Sequence, residues 1–127
     1  MSASHDEAPE RNQAVARAWL EAFNAYDVDA LVALYSEGAT HTSPKIRALH
    51  PDTGGKLVGK QALARWWREA NARLPGLRYE LTALTASAER VFIEYLRHAP
   101  GGEPPMPVAE VFDVRDGLIV ASRVYHG

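Results

Sequence analysis

The sequence predicts an α+β fold, with three helices in the N-terminal part packed on one face of a curved antiparallel sheet that follows. Apolar residues recur at three- and four-residue steps as far as Leu74. From Leu77 onward they follow strand-like spacing, and turn-forming stretches separate the runs.

The first helix is expected from about Pro9 to Ala25, where Val15, Trp19, Ala22 and Phe23 form one stripe with Tyr26 just beyond. Pro9 suits a first turn, since its missing N–H would have had no partner there. Asp27 is placed to cap a short second helix with Val28, Leu31, Val32 and Tyr35 inward and Gly38 at its end. "GATHTSP" (Gly38–Pro44) reads as a short strand whose one face carries His41 and Ser43. "PKIRALHPDTGGKLV" is long for a connection and reads as a loop over a site, with "HPDTGG" as a lid turn. A third helix follows Gly59, with Leu63, Trp66, Trp67, Ala70 and Leu74 on its apolar side and Pro75-Gly76 as its stop. Adjacent Trp66 and Trp67 cannot share one helix face, so one is expected in the core and the other in a loop or interface contact.

Four strands complete the chain: "LRYELTAL", "RVFIEYLRH", "PVAEVFDV" and "LIVASRVYH". They are joined by "TASAE", "APGGEPPM" and "RDG", the pattern of an antiparallel meander. Residues 1–10 are expected to be a flexible segment and residues 11–127 a single domain.

Composition narrows the function classes. A chain of 127 residues buries about two-thirds of its unfolded surface, enough for one core. With no cysteine there is no disulfide, thiolate metal site or cysteine nucleophile. The net charge of −2 comes from interspersed acids and bases, so no nucleic-acid partner is expected. No apolar run approaches the roughly 20 residues that cross a bilayer, and "MSASHDEAPER" is unlike a signal peptide; a cytoplasmic protein without a membrane partner is expected.

The order of elements, with "NAYDVDALVALYSEGAT" and "VFDVRDGLIVASR", resembles the nuclear-transport-factor-2-like superfamily, in particular its SnoaL-like and ketosteroid-isomerase-like branch, over roughly residues 11 to 126. The resemblance implies a cone closed around one deep, mostly apolar pocket, and a homodimer formed through the outer face of the sheet. It also implies that His41 and Ser43 face the pocket. Glu110 falls where ketosteroid isomerases hold a protonated aspartic acid, whereas their base falls on Ser43 and their oxyanion tyrosine on Trp19. Serine is no general base at neutral pH and indole is only a donor, so that mechanism does not carry over. The epoxide-hydrolase set fails too, because its Asp, Arg and Asp fall on His98, Leu96 and Val124.

Strand alternation extends the expected site. It places Phe92, Glu94, Leu96 and His98 inward on the second long strand, Val108, Glu110 and Phe112 on the third, and Ser122, Val124 and His126 on the last. Trp19 and Tyr35 are expected in the wall. The opposite face of the second strand, with Val91, Ile93, Tyr95 and Arg97, is then the expected dimer face. Three histidines and two glutamates on one concave face lack H-x-x-x-H or H-x-H spacing, so neither a metal nor another cofactor is expected. The favoured chemistry is a His41 base oriented by Glu110 or Glu94, with His98 as the second candidate. Two functions stay open: a cofactor-free isomerase, cyclase, dehydratase or hydrolase acting on a small apolar or aromatic molecule, and a binding or dimerisation module without turnover.

Overall fold

The computed structural model describes residues 8–126. Along the chain these form α1 (Ala8–Asn24), α2 (Val28–Val32), β1 (Tyr35–Thr42), α3 (Pro44–Leu49), β2 (Lys56–Val58), α4 (Lys60–Arg73), β3 (Arg78–Ala86), β4 (Arg90–His98), β5 (Met106–Arg115) and β6 (Leu118–His126). The strands make one curved sheet in the order β2-β1-β6-β5-β4-β3, and the helices pack on its inner face. The α+β architecture and the β3–β6 meander agree with the sequence reading. The sheet is not purely antiparallel, however, because β1 enters from outside the meander and runs parallel to β6.

Local sequence explains most boundaries. α1 buries Ala16, Trp19, Leu20 and Phe23 and ends in a Schellman-type turn, with Tyr26 N–H bonded to Phe23 C=O and Asp27 N–H to Ala22 C=O. Tyr26 there takes a left-handed φ of 57°, a position that favours glycine; its hydroxyl donates to the Leu77 carbonyl at 2.8 Å, which ties the turn to the start of the sheet. α1 includes Ala8 to Glu10, which the sequence reading puts in a flexible segment of residues 1–10; residues 1–7 of that segment lie outside the described residues. Asp27 caps α2 by accepting from Ala30 N–H, but α2 stops at Val32 and Tyr35 opens β1, opposite Ile119. Pairing with β6 outweighs the helical stripe that pointed on to Tyr35.

The stretch expected to be a loop is structured. Ser43 caps α3 by accepting from Lys45 N–H at 3.1 Å, Pro44 stands in the first turn, and Ile46 is wholly buried. A 3₁₀ turn, Pro51–Thr53, leads through Gly54 to β2, which pairs antiparallel with β1. Elements of six and three residues are too short to show a period. Trp66 and Trp67 are both buried but meet different neighbours: Trp67 packs on Tyr35 and His41, with ring centroids 5.3 Å from each, and Trp66 meets His50, in the connection after α3, edge-on at 6.0 Å.

The largest correction concerns β4. Val91 lies opposite Phe112, Ile93 opposite Glu110 and Tyr95 opposite Val108, so the odd-numbered residues face inward. Val91, Ile93 and Tyr95 are buried, while Phe92 is 51% exposed and Glu94 faces solvent. The face expected to meet a second copy is therefore the inner one, and Phe92, Glu94, Leu96 and His98 lie on the outer one. Both sets mix large apolar with charged residues, so alternation could not choose between them. Register across the long Pro/Gly-rich connection decides, and one residue of slip reverses every side chain.

Candidate functional site

The inner face of the sheet, α1, α3 and α4 enclose a cavity of about 290 Å³. Trp19 and Phe23 on α1, Trp66 and Trp67 on α4, and Tyr79 and Tyr95 on β3 and β4 supply aromatic walls. His41 and Glu110 enter from β1 and β5, and Lys45, Arg73, Arg97, Glu103 and His126 add charged or titratable groups to the lining. The cavity is at the small end of ligand sites, roughly 300–1,000 Å³, and shares their apolar lining with a few polar groups.

His41 is 3% exposed and belongs to a chain of buried hydrogen bonds. Trp19 Nε1 lies 3.0 Å from Tyr35 Oη, Tyr35 Oη 2.8 Å from Ser122 Oγ, and Ser122 Oγ 2.6 Å from His41 Nδ1. Donor chemistry gives the chain a direction. Indole can only donate, so Tyr35 accepts from Trp19. If His41 Nδ1 donated to Ser122, the proton of either Ser122 or Tyr35 would be buried without a partner, which costs about 1–3 kcal/mol. All protons are used only when Tyr35 donates to Ser122 and Ser122 donates to Nδ1. The imidazole proton then sits on Nε2. Burial pushes the His41 pKa down to about 4, so the ring is neutral at physiological pH. The expected base is thus a weak one, and the ring acts as a neutral N–H donor.

Glu110 is 1% exposed, and burial raises its pKa to about 8, against a smaller lowering by its hydrogen bond from Tyr95. Tyr95, a diagonal cross-strand neighbour, donates to Oε1 at 2.9 Å. Oε2 is buried with no partner among the described residues. A carboxyl fixed at one oxygen and unbonded at the other, with a pKa near neutrality, is equipped to give or take a proton. His41 and Glu110 form no hydrogen bond with each other: the imidazole is held by Ser122 and the carboxyl by Tyr95. Their strands flank β6 two apart in the sheet, roughly 10 Å between backbones. The direct dyad expected from sequence is therefore replaced by two separately held groups lining one cavity.

Residues 16–122 match the family model of the SnoaL-like domain. The chain belongs to the SnoaL-like domain family. A SnoaL-like protein of unknown function from Burkholderia thailandensis is 30% identical, with a TM-score of 0.81 over 93% of this chain and 95% of that one. A candidate ketosteroid isomerase from Kribbella flavida is 19% identical, with a TM-score of 0.76 over 94% of this chain and 79% of that one. A candidate polyketide cyclase from Sinorhizobium meliloti is 19% identical, with a TM-score of 0.73 over 88% and 94%. The last two share the fold at identities too low to carry an activity across. No curated protein matches the sequence.

Within this SnoaL-like domain the remaining expected site residues separate into three groups. Trp19, Ser43, Val124 and His126 line the cavity with His41 and Glu110, though the Ser43 hydroxyl also serves as the α3 cap. Tyr35, Phe112 and Ser122 are buried one layer behind the wall: Phe112 packs on Trp19 at 5.2 Å between ring centroids, and Tyr35 and Ser122 hold His41. Phe92, Glu94, Leu96 and His98 are on the far side of the sheet, with His98 paired to Glu80 at 2.8 Å, so His98 and Glu94 are no part of this site. Sequence reasoning missed Tyr95 and Arg97 through the β4 phase, Tyr79 on β3, a strand to which it gave no inward face, and Lys45 and Arg73, which lay in a supposed loop and at a helix end. An inward Glu110 was the available signal, since a buried carboxyl calls for a buried donor on the next strand. Among the described residues no cluster of three histidine or acidic side chains is arranged to hold a metal ion, and no helix is long and apolar enough to cross a membrane.

Proposed function

We propose that this protein is a cofactor-independent isomerase or cyclase that enolises a small, largely apolar carbonyl compound. One observation carries the reading: Glu110, whose buried Oε2 has no partner among the described residues, lines the same cavity as a neutral imidazole. Ionised Glu110 takes a proton from the carbon next to the substrate carbonyl. The C–H electron pair becomes the new C=C bond, and the carbonyl π pair moves to oxygen, where His41 Nε2–H donates to the developing charge. Tyr95 holds Oε1, and where a C=C bond of the substrate is conjugated with the enolate, the same Oε2 can return the proton at the far carbon of that bond and complete an isomerisation. Alternatively, the enolate carbon adds to a second carbonyl of the same molecule and closes a ring, and the alkoxide so formed takes back the proton that Glu110 removed. A neutral imidazole suits the donor role, because it keeps no positive charge to bury.

The test is hydrogen–deuterium exchange at carbons next to carbonyls, followed by NMR over a panel of small cyclic and aromatic ketones. Glu110→Gln should slow exchange by about a hundredfold or more, the usual scale of acid–base catalysis. Wild-type exchange should rise with pH and level off above about 8, as Glu110 ionises. If wild-type and E110Q proteins exchange every ketone at the same rate, turnover is ruled out. The non-catalytic alternative draws on the same geometry, since below pH 8 both groups are neutral donors fit to hold a ligand oxygen. It expects ligand affinity to fall through that pH while no exchange occurs.

A further inference from the structure

The cavity's cations take no part in proton transfer, and their arrangement specifies a second end of the ligand. Lys45, Arg73 and Arg97 all line it, and among the described residues none of the three has a carboxylate within ion-pair distance. The guanidinium of Arg73 lies 5.6 Å from the centre of the Trp66 ring, which fixes that charge at an aromatic wall. Lys45 and Arg97 lie close enough to His126 to lower its pKa in addition to the effect of burial, and the Arg97 charge partly offsets the rise that burial gives the Tyr79 hydroxyl. The carboxyl groups in the same lining are Glu103, which is exposed as Lys45 and Arg73 are, and Glu110, which is protonated below about pH 8. Three cations against one ionised acid leave the cavity lining positive in a protein whose net charge is −2.

The strand register gives the spacing. Ile93 is opposite Glu110, and Arg97 stands four residues further along β4, about 13 Å between backbone positions. Aromatic side chains, including Trp19, Tyr79 and Tyr95, lie among the lining groups. We infer that the ligand is an oxo acid with an apolar or aromatic body, its carboxylate held by Arg97 with Arg73 and Lys45, and its carbonyl at the opposite end against Glu110 and His41. This deepens the enolisation reading and rests on it for the carbonyl end. The carboxylate end stands on the cations alone. An α-keto acid, with the two groups adjacent, does not span the cavity, whereas a carbonyl and a carboxylate separated by a ring do.

The test uses three probes titrated calorimetrically at low salt into the full-length protein: para-acetylbenzoate, its neutral analogue para-acetylbenzamide, and para-isopropylbenzoate, which keeps the charge and lacks the carbonyl. Para-acetylbenzoate should bind about tenfold or more tighter than the amide, as expected for a charge-assisted bidentate contact. Arg97→Gln should remove that preference by weakening the acid and leaving the amide unchanged. The inference is overturned by absence of saturable binding of para-acetylbenzoate, by equal affinities of acid and amide, or by an undiminished preference in R97Q. Para-isopropylbenzoate separates the two readings. If it binds as tightly as para-acetylbenzoate, the carbonyl contact to Glu110 and His41 fails while the carboxylate contact stands.

Discussion

Removing the Glu110 charge should change how stability depends on pH, and the size of the effect follows from two buried groups. Glu110 is raised from the ordinary 4.5 to about 8, so the stability it contributes is complete below 4.5 and is lost as pH rises through about 8. His41 is lowered from 6.5 to about 4, so its contribution is complete above 6.5 and is lost as pH falls through about 4. Between 4.5 and 6.5 the two slopes oppose each other and cancel. Above 6.5 only the Glu110 slope remains, at about 1.4 kcal/mol per pH unit. The wild-type protein should therefore lose about 2 kcal/mol between pH 6.5 and about 8, a sizeable share of a typical 5–15 kcal/mol total. Glu110→Gln keeps the acceptor for the Tyr95 hydroxyl and removes the titration, so its stability should stay level over that range. His126, only partly buried, has a lowered pKa and contributes on the acid side of the window; Tyr35, Tyr79 and Tyr95 are all raised and remain neutral throughout. Guanidinium unfolding followed by the fluorescence of Trp19, Trp66 and Trp67, all buried, reads the free energies directly. Parallel pH curves for wild type and E110Q would refute the assignment of a buried, proton-holding Glu110.

Nitrogen-15 NMR of the His41 ring should show an unprotonated Nδ1 and a protonated Nε2 that stays neutral on acidification to about pH 4; a protonated Nδ1 at neutral pH contradicts the direction of the hydrogen-bond chain. Ser122→Ala removes the donor to Nδ1 and should broaden or shift the same resonances while the fold is kept, whereas an unchanged ring spectrum would show that Ser122 does not set the tautomer. Asn12→Ala on α1 deletes two 3.0 Å bonds to the Ser87 and Ala88 carbonyls and should cost about 1–3 kcal/mol in denaturant unfolding; a neutral effect contradicts this anchor between α1 and the β3–β4 turn. A homodimer is proposed through the outer sheet face, where Phe92 and Tyr125 are 51% and 55% exposed; light scattering should give twice 14.0 kDa, with Phe92→Asp shifting it toward monomer, and a monodisperse wild-type monomer rejects the dimer.

Much of this architecture was legible because long elements carry long patterns. The Trp19–Phe23 stripe of α1, the Asp27 cap, the Gly59 start of α4 and the Asp116-Gly117 turn between β5 and β6 are each local, and each appears where local chemistry puts it. The inward placement of Glu110, Val124 and His126 follows from the alternation of β5 and β6. α3 and β2 escaped because a helix of one and a half turns and a three-residue strand carry no readable period. Ser43 before Pro44 was nonetheless a readable helix start, with a capping hydroxyl followed by proline in the first turn.

The site itself was harder to read, for a reason that Tyr95 makes concrete. Whether Tyr95 or Glu94 faces the cavity depends on pairing with β5 across a connection whose length does not reveal its register. With Glu94 inward, His41 has a second carboxylate to choose and Glu110 has no phenol to hold it. With Tyr95 inward, Oε1 is occupied, Oε2 is free, and the carboxyl becomes the group that carries a proton. The same displacement moves Arg97 from the outer face to the cavity wall, where it adds a cation. Ser122, expected to touch ligand, instead lies behind the wall and holds Nδ1 of His41. One strand phase thus separates the expected histidine base with a carboxylate partner from the proposed glutamic acid that moves the proton opposite a histidine that donates, and the proposed roles follow from which buried hydrogen-bonding groups each strand brings to the other.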